Sequence, residues 1–143
     1  MTLIIDASVA LKWYLSDEPH AAEAQRLLGS GEHLIAPDIV VAEVCNAAWL
    51  GVRAGRVAQG QAEAIARWLP SPFGLLVGGP ALAERAVAIA GQLNYPVYDC
   101  FYLALSEARD TLLVTADTRL LKRIANTNWA IRARSLTDYR PET

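Results

Sequence analysis

Apolar residues follow two rhythms along this chain: short compact runs, and longer stretches that repeat about every 3.6 residues. The compact runs are TLII (2–5), HLIAP (33–37), FGLLVGG (73–79), TLLVT (111–115) and, less continuous, WAIRARSL (129–136). Each predicts a short strand. The helical rhythm predicts helices at ASVALKWYL (7–15), HAAEAQRLL (20–28), IVVAEVCNAAWLGVRAG (39–55), RVAQGQAEAIARWLP (56–70), ALAERAVAIAGQL (81–93), CFYLALSEA (100–108) and TRLLKRIA (118–125). Local punctuation agrees. Pro19 suits a first turn, Gly29 and Gly31 stop the helix after it, Asp38 can cap the long helix, Pro80 opens another and Asn94 closes it. TDYRPET reads as a polar tail.

Strand and helix alternate, and most strands are continuously apolar. That combination predicts an α/β fold, a mostly parallel sheet of about five strands covered by helices on both faces, in three α/β/α layers. No repeat, low-complexity segment or linker divides the chain, so residues 1–143 are expected to form one domain.

Composition narrows the function. The chain is 53% apolar and 20% charged, as a folded globular protein requires. Its net charge of −2 gives no global attraction to nucleic acid or to acidic membranes. A polyanionic partner would need local basic patches or bound cations. Asp6 and Lys12 interrupt the first apolar run, which predicts neither a signal peptide nor a membrane span, and the expected location is the cytoplasm. Cys45 and Cys100 sit in apolar helical runs and read as buried thiols rather than a disulfide framework. His20 and His33 lack ligand spacing, which argues against zinc.

The candidate chemistry lies in four carboxylates. Asp6 and Asp117 follow strands and precede helices, and Asp99 stands at the opening of a helix. Any of them could be an ordinary N-cap accepting backbone N–H bonds. Ser8 and Thr115 could cap as well. Glu43 has Ile39, Val40, Asn46 and Ala47 at helical spacing and no basic neighbour. It either faces solvent, meets an arginine from elsewhere, or belongs to a site. In open α/β sheets, ligands bind beyond the carboxyl ends of strands where strand order reverses. If the first strand and the LLVT strand are close, the acids converge. A cluster of acids without Lys or Arg calls for a hard divalent cation, Mg²⁺ or Mn²⁺.

Three segments carry a family resemblance: IIDASVALKWYL, APDIVVAEVCNAAW and YDCFYLALSEARDTLLVTADTRLLKR, in that order. Together they resemble PIN-domain ribonucleases and, among these, the VapC toxins of bacterial toxin–antitoxin pairs. The resemblance implies a PIN-like sheet and metal-dependent endonucleolytic cleavage of RNA to 5′-phosphate and 3′-hydroxyl products. It implies Asp6, Asp99 and Asp117 as metal-binding acids, with Glu43 a fourth, direct or through water. Ser8, Asn46 and Thr115 match polar positions that orient ligands or water. It also implies a VapB-type antitoxin whose flexible tail blocks the site.

Other features fit. Arg119, Lys122, Arg123, Arg132 and Arg134 form a basic segment without acids. Lys122 and Arg123 are the favoured RNA contacts, whereas Arg132 and Arg134 read as edge-strand charges, with Lys12 and Arg53 weaker candidates. Trp13, Trp49 and Trp68 suggest core packing, yet helices 39–54 and 57–69 carry more apolar surface than a small domain hides. A homodimer contact or an antitoxin groove is expected there. Among rivals, a haloacid-dehalogenase-like phosphatase needs an Asp where Ser8 stands. There is no P-loop, and the paired acids and late Lys of a receiver domain are missing. A non-catalytic RNA- or protein-binding module, with its acids as caps, is the alternative of another class.

Overall fold

The computed structural model describes residues 1–141. Its sheet has five strands: β1 Thr2–Ile5, β2 His33–Pro37, β3 Leu75–Val77, β4 Leu113–Thr115 and β5 Ala133–Ser135. They lie in the order β3-β2-β1-β4-β5 and every pair is parallel. Parallel neighbours require crossovers, and helices supply them. These are α1 Ala7–Ala10, α2 Ala21–Leu28, α3 Ile39–Arg53, α4 Gln59–Trp68, α5 Ala83–Leu93, α6 Val97–Arg109 and α7 Thr118–Ile124. None of the described helices is long and apolar enough to cross a membrane.

The centre of the sheet is its driest part. Leu3, Ile4 and Ile5 of β1, and Leu113 and Val114 of β4, are fully buried. Burying each such side chain stabilises the fold by about 1.5–3 kcal/mol. On α6, Leu103, Ala104 and Leu105 are buried and the helix packs on β1, β2 and β4. The core therefore fixes the carboxyl ends of β1 and β4 and the first turn of α6 relative to one another.

Local structure departs from the expected pattern in several places. The first helix breaks after Ala10 into a 3₁₀ turn, Leu11–Trp13, where the Trp13 indole N–H bonds the Ala24 carbonyl at 2.9 Å. His20, at φ 61°, precedes α2, so Pro19 lies outside that helix. Asp38 occupies the N-cap position of α3 but its side chain makes no cap bond. Pro80 belongs to a 3₁₀ turn, Gly79–Ala81, ahead of α5. The predicted last strand is half 3₁₀ helix, Asn128–Arg132, before β5 begins. Glu142 and Thr143 lie outside the described residues, but the rest of the predicted tail is not purely surface, since Tyr139 is buried. Just before it Leu136, the last residue of the predicted strand, is buried beyond β5, and its N–H bonds the Thr115 carbonyl at 2.8 Å.

Candidate active site

Strand order reverses between β1 and β4. From β1 the chain moves outward to β2 and β3; β4 returns to the other side of β1 and leads on to β5. Asp6 stands just past β1 and Asp117 just past β4, so both carboxylates sit at the switch point. Both are also N-caps. Asp6 Oδ1 accepts from the Val9 N–H, and Asp117 Oδ1 accepts from the N–H groups of Arg119 and Leu120. Capping and site membership are compatible, because in each acid only Oδ1 accepts the capping N–H groups and Oδ2 takes no cap bond.

Two hydroxyls stitch the strand ends together. Ser8 Oγ donates to Asp6 Oδ1 at 2.6 Å and accepts from the Ala116 N–H at 2.9 Å. Thr115 donates its hydroxyl to Asp6 Oδ2 and accepts from the Asp117 N–H at 3.0 Å. Neither acts as a helix cap; each links an acid of one loop to the backbone of the other. Asp6 is 5% exposed and is held in one orientation by three donors.

The other two acids arrive on helices. Asp99 lies in the first turn of α6, whose N-cap is Pro96, so Asp99 does not cap it. No hydrogen bond holds its carboxylate among the described residues. Glu43 lies mid-α3, half-buried, and meets neither solvent alone nor an arginine. It accepts a 2.6 Å hydrogen bond from the phenol of Tyr102. Tyr102 itself is 1% exposed. Its place one turn after Asp99 was the available signal, because residues i and i+3 share a helix face.

Asp6, Glu43, Asp99 and Asp117 line one cleft of about 150 Å³ with Ala7, Ser8 and Tyr102. No basic side chain is among them. The charges consequently strain one another. Burial, then the neighbouring Asp117, raises the Asp6 carboxyl to about 6 despite its three donors. Burial together with Asp117, Glu43 and Asp6 raises Asp99 to about 7. Glu43 is raised by burial and by Asp6 and Asp117, and the Tyr102 bond opposes the shift. Tyr102 is pushed well above the usual phenol range by burial and by Glu43, so it remains a donor.

The donors fit a hard divalent cation in kind: carboxylate oxygens, no nitrogen or sulfur, and a negative potential with no internal counter-charge. Among the described residues no three such side chains close into a ready-made cage. Mg²⁺ keeps several waters and takes only one or two carboxylates directly, so a cage is not required of this donor set.

The remaining predicted residues fall elsewhere. Asn46 is exposed and lines an adjoining apolar groove of about 320 Å³ with Ile39, Ala42, Glu43 and Tyr98. Arg123 donates to the carbonyls of Leu93 (2.7 Å) and Asn94 (3.2 Å), closing the end of α5. Arg132 pairs with Asp110 at 2.7 Å, and Arg134 is exposed on β5, in keeping with edge charges. Both cysteines are free; Cys100 is buried and its thiol is pushed up to about 11 by burial and Asp99, whereas Cys45 is only half-buried.

Comparison with known proteins gives the same picture. The profile of the PIN domain matches residues 3–126. Ribonuclease VapC3 of Pyrobaculum aerophilum is 30% identical over 125 residues, which is 86% of this chain and 95% of the relative. The crystal structure of PAE2754 from Pyrobaculum aerophilum superposes with a TM-score of 0.71 at 25% identity, covering 96% of this chain and 85% of that one. A chain of the toxin–antitoxin complex from Klebsiella pneumoniae shares the fold, with a TM-score of 0.64 at 18% identity over 94% and 97% of the two chains. With its acids gathered at the β1–β4 switch point and these matches along its length, the chain belongs to the PIN-domain family and is a VapC-like ribonuclease.

Proposed function

We propose that the chain acts as one unit across residues 1–143, a divalent-cation-dependent endoribonuclease toxin held in check by a VapB-type antitoxin. The observation that carries this reading is the convergence of Asp6, Glu43, Asp99 and Asp117 from four separate elements on one cleft without a counter-charge. The binding-module alternative accounts for Asp6 and Asp117 as caps. It leaves unexplained why Asp99 and Glu43 are placed against them at an electrostatic cost.

Asp6, Asp99 and Asp117 would hold Mg²⁺ or Mn²⁺, with Glu43 direct or through water. Bound there, the cation supplies Lewis acidity and charge neutralisation toward a phosphodiester. The chain's own groups do the positioning. Ser8, Thr115 and the Val9 N–H fix both oxygens of Asp6. Asp117 is anchored through Oδ1, which leaves Oδ2 for the cleft. Tyr102 keeps one oxygen of Glu43 engaged and turns the other toward its surroundings. No histidine lines the cleft, so a general base of that kind is not at hand for attack by the RNA 2′-hydroxyl.

The apolar groove beside the cleft supports the antitoxin reading. It shares Glu43 with the acids, and Trp49, Leu50 and Tyr98 of the two helices that border it are 47%, 49% and 60% exposed. A segment laid there would pass directly onto the acids. The decisive experiment incubates purified protein with total cellular RNA in Mg²⁺ and in EDTA and maps new 5′ ends. Discrete cuts with Mg²⁺, absent in EDTA and in Asp6→Asn, are expected. Cleavage undiminished in Asp6→Asn would overturn the assignment.

A further inference from the structure

A second cavity, about 550 Å³ and basic, opens between α7 and the α5–α6 turn. Asn94, Tyr95, Pro96, Arg119, Lys122 and Arg123 line it, three of them cationic and none acidic. It adjoins the acidic cleft. The Asp117 carboxylate holds the Arg119 N–H at 3.0 Å, and the Arg119 guanidinium is near enough to Asp99 to favour its ionised form. Pro96 caps the helix whose first turn carries Asp99. Tyr95, half-buried on the wall, feels the charges of both Asp117 and Asp99.

The three cations are not equivalent. Arg123 is committed to the last carbonyls of α5, where it braces the turn that Asn94 makes at φ 50°. Arg119 and Lys122 are exposed, one turn apart on α7, and make no ion pair among the described residues. Two unpaired cations on one helix face, next to a rigid wall, form a local anion trap on a protein whose net charge is −2. The acidic cleft would repel a polyanion until it is loaded, and a neighbouring cationic basin offsets that repulsion.

From this juxtaposition we infer that Arg119 and Lys122 form a backbone subsite that grips a phosphate of single-stranded RNA next to the one being cut. The inference rests on the ribonuclease reading and adds to it a place where the strand is held. Arg123 is a brace for that subsite rather than a contact, and Tyr95 offers a ring on which a neighbouring base can stack.

The test measures anisotropy of a labelled single-stranded RNA of roughly 12 nucleotides bound to the full chain in EDTA, so that no cleavage occurs, across a salt series. Each cation lost from a single-strand contact lowers the slope of log affinity against log salt by about 0.7. R119A/K122A is expected to lower it by about 1.4 and to weaken binding at low salt by roughly tenfold or more. R26A/R109A, an equal change of charge at exposed sites on α2 and at the end of α6 opposite Asp99, is expected to keep the wild-type slope. R119Q/K122Q repeats the test with longer polar side chains should the alanine pair misfold. An unchanged slope in the basin variants, or an equal fall in the control, overturns the subsite. Cleavage in Mg²⁺ separates the two readings. A wild-type chain that cuts RNA while the basin variants keep its KM refutes the subsite alone. A wild-type chain that never cuts RNA refutes the ribonuclease reading, and the salt slopes still decide the subsite.

Discussion

The phenol of Tyr102 donates a 2.6 Å hydrogen bond to Oε1 of Glu43, joining α6 to α3 across 59 residues of chain. It is the only side-chain donor to Glu43 among the described residues, and it lowers that carboxyl's tendency to hold a proton. Tyr102→Phe keeps the packing and removes the donor. Glu43 should then hold its proton to higher pH, and Mn²⁺ affinity at pH 7 should fall roughly 10- to 100-fold. The alkaline shift of the pH–rate profile in the variant is the measurement. An unshifted profile with unchanged metal affinity would show that Glu43 needs no such support.

Acidity and stability are linked with a definite sign. Asp6 and Asp99 titrate at about 6 and about 7 in the folded chain, against an ordinary aspartate value of 3.8. Between these values the folded chain holds protons that the unfolded chain has released, so stability falls as pH rises from about 4 to about 7 and levels off above. For the buried Asp6 this amounts to about 3 kcal/mol. In EDTA the melting temperature should therefore drop over that range. Mg²⁺ should restore it above pH 7, where the acids are charged, and do little at pH 5. A melting temperature that rises with pH in EDTA contradicts the electrostatics described here.

Thr115→Val removes the donor to Asp6 Oδ2 and the acceptor of the Asp117 N–H together. Leaving those buried groups unpaired should cost about 1–3 kcal/mol of stability. Cleavage should fall by roughly 10- to 100-fold, since both acids lose their alignment. Urea unfolding and single-turnover cleavage measure the two effects separately.

The exposed aromatic surface of α3 and α4 predicts association. Trp49 and Trp68 are 47% and 54% exposed, and the Arg53 guanidinium lies 5.3 Å from the Trp49 ring. Analytical ultracentrifugation should find a homodimer. Trp49→Lys with Trp68→Lys should weaken it roughly 30-fold or more. A strict monomer at high concentration would refute the dimer.

Much of this molecule is legible in its sequence because side-chain periodicity reports burial directly. Short, β-branched, solid runs such as TLII and LLVT suit central strands of a covered sheet, and those strands place Asp6 and Asp117. What escapes the sequence depends on partners distant along the chain. Tyr102 shares a helix face with Asp99, but only the approach of α3 gives its phenol Glu43 as a partner. Arg123 reads as a free cation until the end of α5 is brought against it. The 3₁₀ turns at Leu11–Trp13 and Asn128–Arg132 also hide, because an i+3 period differs little from 3.6 over so few residues.

The bonds from Ser8 and Thr115 have a temporal side. Two of them join groups more than a hundred positions apart, Ser8 to Ala116 across 108 residues and Thr115 to Asp6 across 109. While the ribosome is still making the chain, Asp6 has neither β4 beside it nor Asp117 opposite. The nascent protein cannot gather the four acids of the cleft until nearly all of it has emerged, and a fragment that ends before Thr115 lacks both the hydroxyl that holds Asp6 and the opposing Asp117.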